Sequence, residues 1–349
     1  PSALAISQVK NLKGKEFIEG VICGYQTAII IGKIANPYHR NQGFHSSGTI
    51  GSFASAATSS KLLKLSKEEI INSLGLSGTV SGGLLESDHK GTMGKVFHIG
   101  NGIYNGILST YLAKNGFTST ETILEGKEGF LNSMAKITPN EELTIYSKEK
   151  LKEDLKKFHI NECYLKRYPV CRHLHSSVDS TITINGEISN TNINSDYIKE
   201  ISIETYPIAA EHNNYTPKNK EELKQSLPFT VASILILKEL NIDNINQIFK
   251  DKALYEKIKN LAEKIKIIEK PEFSNMFPEK RPSDVTINFE NIGKISKITN
   301  NPIGESENPL KKKDNLNKFK SLNPNFDVNN LKEIKNIENV YINEFMKVF

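Results

Sequence analysis

Residues Thr49-Ile-Gly-Ser-Phe-Ala-Ser-Ala-Ala-Thr-Ser-Ser60 are built almost wholly from Gly, Ala, Ser and Thr. Side chains this small let a backbone press against its neighbours, so the segment reads as an interior element able to hold the loop before it rigidly. Around it, from Gly14 to about Asn132, apolar residues return every three or four positions, with Gly or Ser-Lys-Glu punctuation between segments. That is the period of packed helices. Phe17, Val21, Ile22 and Tyr25 share one face. Ser66-Lys-Glu-Glu69 forms a capping box that opens a helix towards Leu76, because Ser66 can accept from the Glu69 amide while Glu69 reaches back. A third helix is expected over about Gly100 to Asn115, stopping at Gly116. Its Gly102 and Gly106 fall on one side, where another helix backbone can come close.

Beyond about Asn161 the texture changes. Short β-branched runs, Ile198 to Glu204, Ile265 to Ile268 and Val285 to Phe289, alternate with the helical patterns Ser176 to Ile184 and Leu223 to Leu240. From Pro309 the chain turns helical again, with Leu331, Ile334, Ile337 and Val340 at helical spacing. The expected fold is mainly α: a large helical domain over 1–158, a smaller α+β domain over 159–305, and C-terminal helices over 306–349 that return to the first. Asn190 to Ser195 and Asn241 to Asn246 are the biased loops.

The 349 residues are 38% hydrophobic and 24% charged, a globular composition long enough for two cores. The net charge of +5 is spread along the chain and does not form the clustered basic face that nucleic-acid binding needs. Reading the chain as nucleic-acid-associated rests on its basic pI alone. No apolar run is expected to reach the roughly 20 residues of a membrane span, and nothing near Pro1 has the order of a signal segment. The expectation is a soluble, cytoplasmic protein. Cys23, Cys163 and Cys171 are odd in number and lack a C-x-x-C pair, which argues against a disulfide framework, a structural zinc and a cysteine-held iron–sulfur cluster.

Three segments place titratable residues beside Gly and Ser, where an amphipathic helix would place apolar ones. Asn36 to Gly48 contains His39, Arg40, His45 and Ser46, a ring of donors; its bland reading makes His45 a buried helix cap. Ser87 to Gly100 is a Gly-rich loop entering a helix with Lys95 and His98. A helix N-terminus with a lysine beside it is a carboxylate-binding corner, against the alternative of a solvated lysine. Leu165-Lys-Arg-Tyr-Pro-Val-Cys-Arg-His-Leu-His175 packs Lys166, Arg167, Arg172, His173 and His175 closely enough to repel one another unless an anion neutralises them. Cys171 beside histidines has no local signature of a nucleophile.

The same segments resemble the MmgE/PrpD family. Gly24-Tyr-Gln26 resembles its G-Y-E, Phe44-His45 to Gly51 its histidine segment, and Lys95 to Gly106 its K-x-x-H-x-G stretch with a following Gly. Gly116-Phe-Thr118, Leu124-Glu-Gly126 and Gly129-Phe130 are similar to its G-F-T and L-E-G-x-x-G-F run. Lys166 to Pro169 resembles K-x-Y-P, Ser226 to Phe229 S-L-P-Y, and Arg281 to Val285 R-P-x-D-V. The resemblance implies a helical domain with an α+β lid, a homodimer, and no metal or organic cofactor. It also implies His45, Lys95 and Lys166 as catalytic residues, with Arg40, Ser46, Tyr168 and His175 as substrate-binding ones. The implied activity is lyase chemistry on a small polycarboxylate, with dehydration of a 2-methylcitrate-like acid first. Decarboxylation of the cis-aconitate type, epimerisation of the iminodisuccinate type and a non-catalytic truncated homologue are the alternatives. In the family an Asp- and His-rich segment with acid–base residues precedes the position matched by Pro1, so a missing N-terminal segment is expected.

Overall fold

A computed structural model describes residues 1–89, 91–138, 148–188, 195–290 and 292–348, without the side chains of 88, 89 and 148. The Asn190 to Asn194 loop and Lys90 of the second titratable segment therefore lie outside the described residues. The chain divides into two compact units, Pro1–Glu162 with Lys320–Phe349, and Cys163–Phe319.

The first unit is helical: α1 (Ser2–Lys10), α2 (Gly14–Ala35), α3 (Tyr38–Asn41), α4 (Ser46–Leu62), α5 (Lys67–Thr79), α6 (Glu86–His89), α7 (Gly94–Lys114), α8 (Phe130–Ala135) and α9 (Lys148–Asp154). The small-residue stretch forms α4, which is buried along most of its length and packs against α1, α2, α5 and α7. Most of its buried hydroxyls bond to neighbouring backbones and side chains instead of water, Ser59 Oγ being an exception. Ser55 donates to the Ile103 carbonyl at 2.8 Å, Thr58 to the Gly20 carbonyl at 3.1 Å, and Ser60 to Ser73 at 3.1 Å. A buried hydroxyl with a partner costs little, and one without costs about 1–3 kcal/mol, so these bonds let a polar helix sit inside. The approach of α7 is as close as its glycines allow: a Cβ on Gly102 would stand 2.8 Å from the Gly48 carbonyl oxygen. The capping box is present, with Ser66 accepting from the Glu69 amide at 3.3 Å and Glu69 from the Ser66 amide at 2.7 Å.

The second unit is α+β. It contains α10 (His175–Ile188), β1 (Ile198–Thr205), α11 (Pro207–Ala210), α12 (Lys220–Leu223), α13 (Leu227–Leu237), α14 (Ile242–Ile248), α15 (Lys252–Ala262), β2 (Ile265–Glu269), α16 (Pro271–Ser274), β3 (Ser283–Phe289) and β4 (Gly293–Thr299). The sheet order is β2-β1-β3-β4, parallel between β1 and β2 and antiparallel elsewhere. Helix α10 lies against β3 and β4 and packs on α13, closing a core that includes Val178, Ile201, Ile203, Phe229, Ile234 and Ile287. After α17 (Lys312–Leu322) come a 3-10 helix (Val328–Asn339) and α18 (Ile342–Met346).

Three expectations are corrected. The helix expected from Leu223 to Leu240 runs only over Leu227–Leu237, because Leu223 ends the preceding helix and Ser226 caps a new one by accepting from the Phe229 amide at 3.1 Å, with Pro228 in its first turn. The spacing of three in Leu331, Ile334, Ile337 and Val340 is the repeat of a 3-10 helix, which is what forms. Lastly, α2 is long and apolar enough to cross a membrane by length and composition, with a mean hydropathy of 1.3 over its best window. It packs against α4, and a Cβ on its Gly24 would stand 2.3 Å from Thr58 Oγ1.

Candidate active site

His45 stands at the N-cap of α4 in extended conformation, and its side chain makes no capping bond. The ring turns instead to α7, where its Nδ1 lies 3.2 Å from Nδ1 of His98, with ring centroids 5.3 Å apart. A hydrogen bond between two Nδ1 atoms needs a proton on one and a lone pair on the other. The two imidazoles are thus held in opposite roles: in the neutral pair the acceptor ring carries its proton on Nε2, while the donor ring has a bare Nε2. One shared proton therefore defines an acid and a base side by side.

The backbone fixes this pair from three directions. The His45 amide donates to the Gly83 carbonyl at 3.0 Å, and Phe44 bridges Leu84. Gly83 has φ +139°, and a Cβ there would stand 3.2 Å from the His98 ring; a Cβ on Gly48 would meet His98 Cβ at 3.1 Å. Beneath it, fully buried His39 joins Thr49 Oγ1 through Nε2 at 2.9 Å, approaches Ser46 Oγ at 3.5 Å through Nδ1, and rests on Phe44 and Phe130. Burial pushes the His39 pKa down to about 4, so it supports the loop as a neutral ring.

Lys95, half-buried in the first turn of α7, precedes His98 by three positions and so shares its side of the helix. An ammonium in the first turn of a helix, at its positive end, favours a bound carboxylate. Ser46 begins α4 next to His45, whereas Arg40 is exposed on α3. Within this unit the structure brings His45 and His98 together, with Ser46 following His45 in the chain and Lys95 one helical turn before His98. His98 stood in the quoted segment but was not singled out, and its position three residues after Lys95 was the available signal.

In the second unit Lys166 is exposed and donates to the Val170 carbonyl at 3.3 Å. Tyr168 is buried and its hydroxyl donates to Asp179 at 2.5 Å; burial and the Asp179 carboxylate both push its pKa up. His175 is fully buried, and burial, then the charges of Arg172 and Lys166, push its pKa down to about 3. Their neighbours form a cationic cluster: Arg172 and Arg281 share Glu305, with Arg281 Nη1 at 3.1 Å, and Arg172 lies over the Tyr164 ring at 4.5 Å. Glu305 and Arg281 are far from the 165–175 segment in sequence, so neither was legible as its counterpart. Among the described residues no group of three or more His, Cys, Asp and Glu is arranged to hold a metal ion.

The N-terminal domain of MmgE/PrpD matches residues 1–142, and its C-terminal domain residues 168–341. The chain belongs to the MmgE/PrpD family. It is a lyase of that family. The chain is 25% identical over 354 residues to a cis-aconitate decarboxylase of Aspergillus terreus, covering 97% of this chain and 71% of that one. It is 21% identical over 281 residues to the mouse cis-aconitate decarboxylase, covering 80% and 55%, and 25% identical over 195 residues to the human one, covering 55% and 39%.

Proposed function

We propose that this lyase decarboxylates an unsaturated tricarboxylate of the cis-aconitate type, with the His45–His98 pair as its proton-transfer centre and Lys95 as its carboxylate anchor. The observation that carries the reading is the 3.2 Å contact between the two Nδ1 atoms on the same helix side as Lys95. The relatives' shared description favours decarboxylation over the 2-methylcitrate dehydration that the motifs first suggest.

In the reaction the bond between a CH2 carbon and its carboxylate breaks and releases carbon dioxide. The freed electron pair forms a new double bond, and the former π pair moves to the carbon next to another carboxylate, which then takes a proton. The negative charge that grows on that carboxylate is what a fixed ammonium stabilises, and the Nε2–H of the accepting imidazole is the acid. Within the second unit, Lys166 is a carboxylate-binding residue by its place in the K-x-Y-P motif. Lys95→Ala should lower turnover about a hundredfold or more.

The test is a panel of cis-aconitate, 2-methylcitrate, citrate and iminodisuccinate given to the purified protein, following carbon dioxide release and alkene absorbance together. Carbon dioxide from cis-aconitate is the expected result. Alkene formation from 2-methylcitrate without carbon dioxide would return the assignment to dehydration, and turnover of none of the four would overturn the enzyme reading.

A further inference from the structure

In the second unit, Cys171 Sγ lies 3.5 Å from His212 Nε2. Both residues are anchored through their backbones: the Cys171 amide donates to the Lys224 carbonyl at 2.7 Å, and the His212 carbonyl accepts from the Leu227 amide at 2.8 Å. The His212 ring is also hydrogen-bonded to the Gln225 backbone and stacks on His173 with centroids 6.0 Å apart. His173 is in turn fixed by the Tyr206 hydroxyl at 2.7 Å. A thiol beside an imidazole that a third group orients is the arrangement that activates cysteine, because the ring can take the thiol proton and stabilise the thiolate. Burial opposes a charge on His212, but the bond to Cys171 and its charge, with Gln225 and Glu211, outweigh it and raise its pKa.

The surroundings favour the same charge separation. Arg172 and Arg281 act electrostatically on Tyr164 and Tyr206, as does Cys171, so all three share one neighbourhood. Glu305 lies in the same neighbourhood, but it is one carboxylate shared by two guanidiniums, and the positive balance favours a thiolate and draws in anionic reagents. Cys23 offers the contrast: its thiol donates to the Ala57 carbonyl at 3.8 Å, and burial pushes its pKa up. Both cysteines are partly exposed, so solvent access does not separate them.

We propose that Cys171 is a covalent modification site for soft electrophiles, with electron-poor alkenes bearing a carboxylate preferred over neutral ones. In the step, the sulfur–carbon bond forms at the β-carbon of the alkene and the π bond breaks. Its electron pair passes to the α-carbon, which takes the proton that His212 removed from the thiol. No oxidant or reductant is consumed. The site goes beyond the decarboxylase reading and stands or falls without it.

Native protein treated with limiting N-ethylmaleimide or its anionic analogue 3-maleimidopropionate, then digested for mass spectrometry, reports the cysteines in one sample. Cys171 should be modified about tenfold faster than Cys23, and His212→Asn should remove that advantage while leaving the Cys23 rate unchanged. The anionic reagent should gain on the neutral one at Cys171, relative to their ratio with glutathione. Equal rates at Cys171 and Cys23 in the native protein overturn the proposal without any variant. An unchanged Cys171 rate in a folded His212→Asn protein overturns the role of the pair, and no gain for the anionic reagent overturns the charge preference.

Discussion

Replacing Gly106 by alanine should destabilise the helical unit, whereas the same change at Gly100, on the same helix α7, should stabilise it. An alanine inside a helix is favoured over glycine by about 1 kcal/mol. At Gly100 no atom lies within 4 Å of the added Cβ, so the gain is kept. At Gly106 that carbon would stand 2.4 Å from Ser55 Cβ, 2.5 Å from the Ser52 carbonyl oxygen and 2.7 Å from the Ala56 nitrogen. Two of these are backbone atoms of α4 that cannot rotate away, so the helices must part by roughly an ångström to restore ordinary contact. Overpacking of this kind costs about 1–3 kcal/mol, and rigid neighbours put it at the upper end, leaving a net loss of about 2 kcal/mol and a difference of about 3 kcal/mol between the variants. Urea unfolding followed by circular dichroism measures that difference. A functional readout accompanies it: α7 carries His98 and α4 follows His45, so parting the helices disturbs their 3.2 Å contact. An ångström of misplacement costs about a hundredfold in rate, so Gly106→Ala should be slow and Gly100→Ala close to the native rate. Equal stability of the two variants would refute the packing argument.

Two further outcomes follow from buried polar groups. His39 has a folded pKa of about 4, below its unfolded value, so the unfolded chain binds more protons between those values. Stability from this ring is therefore full above pH 6.5 and lost as pH falls towards 4, and His39→Gln, which can keep the bond to Thr49, should flatten the acid limb of a pH–stability curve; an unchanged limb excludes His39 as its source. Tyr168→Phe removes one donor from the buried Asp179 carboxylate and should cost about 1–3 kcal/mol of stability, measured by thermal or urea unfolding. A raised KM with unchanged stability would assign Tyr168 to substrate binding instead.

Much of the fold was legible because its signals are local. The Ser66 capping box, the glycines of α7 and the small residues of α4 each have one physical reading, and the strands from Ile198 and Val285 show the expected β-branched runs. Strand β4 escaped because its isoleucines, Ile295 and Ile298, stand three apart on an exposed edge, so no alternation of two marks it. The start of α7 at Gly94 was hidden by its glycines. At the site, His45 and Lys95 were legible from residue type and motif, but the partnership of His45 with His98 depends on α4 lying against α7. The cluster of Cys171, His212 and Tyr206 likewise depends on tertiary contacts between distant segments.

The account rests most directly on the two imidazoles acting as one unit. A double-mutant cycle of His45→Ala, His98→Ala and both together, scored by turnover of the substrate that the panel identifies, measures this. Each single change should cost about a hundredfold or more, and the double variant should be no slower than the worse single one, because either change already removes the shared proton. Losses that multiply in the double variant, or single variants at the native rate, would contradict it.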